Sequence, residues 1–285
     1  MDINLSIQLL ILAAIAIIYA AFDVFNKRNV PNAFAYVSIV VGIAVTFLLN
    51  QGSIAYSFLI AIAIIGVGHV IYKMGFWGAG DYFELASISM IIPVQFTPLL
   101  IGTGQLGLPF ILSVFIATGL VAVWVVPVYY LLLRRNEYAK AGTDSRHIFY
   151  GLTLMLLYLA MSFMVYGVYG LDFGKLLLIV LIAVPSAITL TFEERITSNM
   201  IRFVGVEDIE ADDIIALNVL EKSEIARLSK KYDGFGRLVT EKFLGEFRGS
   251  KEKLPVYRNA APLAAFILAG AAISVLFGNI ILLML

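Results

Sequence analysis

"FWGAGDYFEL", residues 76–85, decides the fold, because it sets an aspartate, Asp81, at the junction of two apolar runs in a chain that is 61% hydrophobic and only 14% charged. Crossing the hydrocarbon of a bilayer takes about 20 apolar residues per helix. Such stretches recur at roughly 3–22, 33–49, 53–74, 81–101, 108–133, 149–169, 174–192 and 260–284. The fold class expected is an all-α polytopic membrane protein of about eight transmembrane helices, with the lipid bilayer as its first partner. The first stretch runs straight into "AAFDVFNKRNVPN" without a small-residue cleavage site, so it reads as a retained helix rather than a removed signal peptide.

Positive residues mark cytoplasmic loops, and the 20 Lys and Arg can be assigned to sides once the helices are laid out. An N-out, C-out arrangement places Lys27, Arg28, Lys73, the "RRNEYAKAGTDSRH" loop and residues 193–258 inside, and leaves only Lys175 outside. Asp81 then faces the cytoplasm. Residues 193–258 carry 25 of the 40 charged residues and break the apolar pattern. They form the expected cytoplasmic α+β domain: "MIRFVGVEDIEADDII" suits a small sheet with turns, and "ALNVLEKSEIARLSKKYDGFG" a helix. Three parts follow: a membrane domain over 1–192, the soluble domain over 193–258 and a terminal membrane helix over 259–285. The charges of the soluble part read as a solvated face.

The chain has no cysteine and two histidines, His69 and His147, so thiolate nucleophiles are excluded and neither metal nor cofactor is expected. Zero net charge and no basic groove argue against nucleic acid. What remains is carboxylate chemistry. An ionisable group inside a membrane helix costs about 2.5–3.5 kcal/mol at mid-helix, which makes each such group a functional candidate. Three qualify: Asp23 at the end of helix one, Asp81 at the start of helix four, and Glu84 one turn further on. The topology puts Asp23 and Asp81 at one depth and on one face of the membrane. Paired carboxylates share a proton, one acting as base on a water and the other as acid toward a peptide carbonyl. Gly78 and Gly80 remove side chains ahead of Asp81, which clears room for a substrate backbone or for close helix packing. Asp81 in a first helical turn also suits a cap, and Asp23 an ion pair with Lys27 four residues on.

"FDVFNKRNVPN", with Asp23 followed by basic residues and then "VPN", together with "GAGD" at the head of helix four, resembles the type IV prepilin peptidases. The likeness is greatest to the archaeal preflagellin and prepilin peptidases, membrane aspartyl proteases of the Gly-x-Gly-Asp class. The "VGVEDIEADDI" stretch before a terminal helix also looks like the cytoplasmic domain of archaeal members. The resemblance implies that Asp23 and Asp81 are the catalytic pair. It implies that the partners are precursors of the archaellum or type IV pilus, with a short basic leader ahead of a hydrophobic helix, and that cleavage occurs at the cytoplasmic face of the plasma membrane. Without cysteine, the metal-binding insert and the methyl transfer of bacterial members are not expected. The stretches at 149–192 look like a hairpin added to the minimal archaeal pattern.

Two rivals use the same carboxylates. Presenilin-like proteases share Gly-x-Gly-Asp, and "AAPLA" at 260–264 echoes their proline motif, but their first aspartate lies in the helix just before the second. A proton- or cation-coupled transporter would spread its acids through the membrane depth rather than gather them at one face. Among lesser candidates, Glu84 could attract the basic side chains of a leader or make a structural hydrogen bond. His69 reads as an interior helix residue with a bonded ring, and Trp77 and Tyr82 as interfacial anchors.

Overall fold

Long apolar stretches with no polar neighbours must close their backbone hydrogen bonds within themselves, so they coil into helices. The computed structural model describes residues 3–26, 29–74, 77–100, 109–133, 145–170, 173–258 and 261–279. Its helices in the apolar regions are α1 (Ile3–Phe25), α2 (Asn32–Leu49), α3 (Ile54–Lys73), α4 (Ala79–Ile91), α5 (Phe110–Val128), α6 (Ser145–Tyr169), α7 (Phe173–Thr191) and α11 (Leu263–Phe277). Six of the described helices, α1, α2, α3, α5 (continuing to Leu132), α6 and α7, are long and apolar enough to cross a membrane. Six of the eight expected spans are met among the described residues, and the other two, at α4 and α11, are not confirmed. At 1.5 Å per residue α4 reaches about 20 Å and α11 about 22 Å, short of a hydrocarbon layer of about 30 Å.

Both short helices stop for local reasons. Ile92, extended at φ −96° and ψ 138°, precedes Pro93, which disfavours the helical region for the residue before it. Helix four therefore ends at Ile91 and not near residue 101. Gly278, at φ 73°, ends α11 in a conformation that costs a residue without a β-carbon little. The segment after α4 returns along the bundle: Leu99 and Leu100 N–H donate to the Val275 and Leu276 carbonyls, and Phe96 packs edge-on to Phe110.

Helix α4 lies inside the bundle, with nine of its 13 residues buried against neighbours that include α1, α2, α3 and α11. The main apolar core joins Leu12, Ile15 and Tyr19 of α1, Leu85 and Ile88 of α4, Ile111 and Val114 of α5, and Ile267 of α11. A helix that ends inside an apolar layer leaves its last carbonyls without partners unless side chains reach them. Here α2 supplies those side chains. Thr46 Oγ1 donates to the Met90 carbonyl at 2.8 Å, and Asn50 Nδ2 reaches the Met90 and Ile91 carbonyls at 3.3 and 3.2 Å. Close approach is bought by small residues: a β-carbon at Gly42 would meet Met90, one at Gly270 would lie 2.6 Å from the Thr118 nitrogen of α5. The α6–α7 hairpin joins the rest through α5, where Trp124 Nε1 donates to the Leu181 carbonyl at 2.9 Å.

Beyond α7 the polar segment folds around its own core. It comprises α8 (Glu193–Met200), β1 (Arg202–Val204), α9 (Lys222–Lys231), α10 (Glu241–Phe247) and β2 (Leu254–Val256). The expected small sheet is the antiparallel pair β1–β2, with Arg202 opposite Val256 and Val204 opposite Leu254, and the expected helix is α9. Val204, Ile215, Leu228, Val239, Phe243, Phe247 and Val256 fill the space between them. Arg258 holds the acidic turn, binding Asp213 Oδ2 at 2.8 Å and Glu210 at 3.5 Å.

Candidate active site

The turn before α4 takes its shape from its glycines and from Asp81. Gly78 is extended at φ −76° and ψ 156° and caps the helix, and its N–H donates to Asp81 Oδ2 at 2.8 Å. The carboxylate thus satisfies one of the amides that a helix start leaves unpaired. Capping was one of the two readings of Asp81, and it holds without removing the other, since the Gly78 N–H takes only one of the two carboxylate oxygens. Gly80 has a packing role. A β-carbon there would come within 2.9 Å of Val30 Cγ2, so glycine lets the segment leading into α2 close against the start of α4. A β-carbon at Gly78 would lie 3.3 Å from Asp81 Oδ2 and crowd the cap. The room expected for a substrate backbone is, at Gly80, occupied by this chain itself.

Asp23 stands near the end of α1, with 8% of its surface exposed. Its Oδ2 accepts the Ala264 N–H at 2.9 Å. Ala264 belongs to the first turn of α11, so the amide comes from a helix N-terminus, where the backbone dipole favours a negative group. Each aspartate is therefore held by a main-chain amide at a helix start, one local in sequence and one 241 residues away. The two carboxylates lie within electrostatic reach of each other, and Glu84 lies within reach of both. Lys27, the partner considered for Asp23, lies outside the described residues.

Residues 10–126, which hold both aspartates, match the model of the type IV leader peptidase family. The match runs from within α1 to most of α5 and stops before α6, the polar segment and α11. No curated protein and no solved structure matches the chain.

The matched region thus receives a contact at Asp23 from outside itself, the Ala264 amide. In the sequence "AAPLA" is no more than an echo of another family, and nothing local sets it beside Asp23. The signal was Pro262, whose missing N–H and fixed φ suit the residue just ahead of a helix.

Three lesser expectations are corrected. Glu84 is fully enclosed, and neither of its carboxylate oxygens has a hydrogen-bond partner among the described residues, so the structural hydrogen bond expected for it is absent. His69 is exposed on α3, its ring beside Tyr72 and Tyr82, and is not an interior residue. Tyr82 is 5% exposed and lies over Gly68, where a β-carbon would collide with it. It is a packing residue between α3 and α4. Trp77 is partly buried beside Phe115. A buried polar chain that the sequence did not reveal adjoins the acids: Tyr19 Oη and Ser38 Oγ are 2.8 Å apart, and Ser38 and Ser87 Oγ 2.9 Å. It ties α1, α2 and α4 together.

Proposed function

We propose that the protein is a membrane aspartic endopeptidase that removes short basic leaders from preflagellin-like or type IV prepilin-like precursors, with Asp23 and Asp81 as its catalytic pair. The match of residues 10–126 to the leader peptidase family supports a peptidase acting on precursor proteins. The observation that carries the assignment to these two residues is their convergence: they come from α1 and α4, feel each other's charge, and each is anchored through Oδ2 by a helix-start amide.

The chemistry follows from that arrangement. A carboxylate of the pair takes a proton from water as the oxygen attacks the scissile carbonyl, while the other, protonated, donates to the developing oxyanion. Collapse of the tetrahedral species breaks the C–N bond, and the first aspartate returns its proton to the departing nitrogen. The amides of Gly78 and Ala264 fix the orientation of each carboxylate, so little reorganisation is needed when charge moves. The distribution of Lys and Arg supports a site opening toward the cytoplasm, where a basic leader would lie while the hydrophobic helix of the precursor stays in the bilayer.

Purified full-length protein in liposomes, given a preflagellin or prepilin with a basic leader, should yield a product shortened at the leader boundary. A wild-type protein that leaves the precursor intact, or D23N and D81N variants that still cut it, would remove the proposal.

A further inference from the structure

Glu84 is a buried carboxyl that the two-aspartate chemistry leaves unused. It is 0% exposed, and neither oxygen finds a donor among the described residues, whereas its inward-facing neighbours Ser87 and Ser89 donate to the Phe83 and Ala86 carbonyls. The titratable groups around it are Asp81 on its own helix and Asp23 and Tyr19 on α1; α2 contributes Ser38 to the adjoining polar chain. None of the Lys, Arg or His side chains among the described residues pairs with it. An unpartnered polar group in an apolar interior costs about 1–3 kcal/mol, more when charged, and a leucine would fill the space without that cost.

We propose that Glu84 is the counter-ion for the new amino terminus, receiving the α-ammonium group of the mature product as the leader leaves. The inference rests on the leader-peptidase reading given above. Position supplies the argument. Glu84 lies three residues beyond Asp81, about 4.5 Å further along the helix axis and away from the cytoplasmic opening. The bond to be cut sits at Asp81. Its carbonyl side belongs to the leader and its nitrogen side to the hydrophobic helix, so Glu84 lies on the side of the departing nitrogen, and the basic residues of the leader lie on the other. Charge balance is complete with the groups named. The C–N bond breaks, the nitrogen takes the proton that an aspartate removed from water, the second proton of the ammonium comes from the Glu84 carboxyl, which becomes the carboxylate facing it, and the new leader carboxyl group carries its own proton away to water. The product is then a cation in a low-dielectric site whose other groups, Asp23 and Asp81, must reset their shared proton for the next cycle. A separate carboxylate there pairs with it through a short charge-assisted contact. Because Glu84 is enclosed at rest, the amine meets it only once the bound substrate has displaced the side chains that cover it.

The test uses two synthetic peptides copying the first residues of the mature segment, one with a free amino terminus and one N-acetylated, as inhibitors of precursor cleavage by the full-length protein. Wild type should be inhibited about 10-fold more strongly by the free amine, a difference of about 1.4 kcal/mol. In E84Q, which keeps the shape of the side chain, that preference should vanish while precursor cleavage continues more slowly, and E84D should retain part of it. Equal inhibition of wild type by the two peptides, or an undiminished preference in E84Q, overturns the inference while leaving the cleavage reading in place. A wild-type protein that cuts no precursor fails the cleavage reading instead.

Discussion

At the scale of single residues, the site is defined by what each carboxylate is given to bind. Asp23 and Asp81 each take one main-chain amide through Oδ2, whereas Glu84, one turn away, takes nothing from the described residues. Replacing Asp81 by Asn keeps an oxygen for the Gly78 amide and removes the acid–base function proposed for it. D23N and D81N should therefore each lower leader cleavage at least about 10³-fold, with helicity by circular dichroism unchanged. Mass spectrometry of the precursor after prolonged incubation checks both. The three acids were legible in the sequence because a charge in an oily chain is costly wherever it stands. The amide that holds Asp23 was not, since a backbone N–H carries no side-chain signature and its position depends on where α11 begins.

At the scale of elements, the short helix α4 is the one whose ends must be satisfied by others. Thr46 and Asn50 of α2 cover its final carbonyls. T46V, which keeps the side-chain shape, should leave the Met90 carbonyl with weaker coverage and cost about 1–3 kcal/mol of stability, read as a lower midpoint of thermal unfolding in detergent. Glycine contacts predict a contrast within one pair of helices. G119A on α5 places a methyl where nothing lies within 4 Å, while G270A on α11 drives one into the Thr118 backbone. The first should be neutral. The second should cost about 1–3 kcal/mol through overpacking, and it should also slow cleavage, because α11 carries the amide that holds Asp23. The G80A variant, pressed against Val30, should behave like G270A, with V30A restoring part of the loss. Periodicity alone could not have foreseen these differences: "small-x-small" spacing reads the same whether the facing surface is a backbone, a methyl group or lipid.

At the scale of the whole molecule, two hydrogen bonds among the described residues join the polar segment to the apolar helices. Asn199 of α8 donates to the Tyr130 carbonyl at 2.9 Å, and Tyr72 at the end of α3 donates to Asp212 Oδ1 at 2.6 Å. Asp212 has φ 70°, a left-handed conformation that aspartate tolerates better than most residues, and it presents its carboxylate to Tyr72 from the acidic turn. A hydrogen bond to a charged group contributes about 1.5–3 kcal/mol, so Y72F should expose the 205–213 turn to limited proteolysis about 10-fold faster, provided opening is quick relative to cutting. Unchanged proteolysis would show that Asn199 and its surroundings hold the segment unaided. By itself the sequence determined the apolar helices, the polar segment before the last of them and the two aspartates at helix ends, because hydropathy and charge are properties of the residues and the bilayer leaves the backbone few alternatives. Only the tertiary structure decided that α4 and α11 fall short of a full span, that α4 is wrapped by its neighbours, and that the start of α11 reaches back to Asp23. Those outcomes depend on which unpaired amide and carbonyl meet across helices far apart in the chain, and no local pattern of residues encodes that meeting.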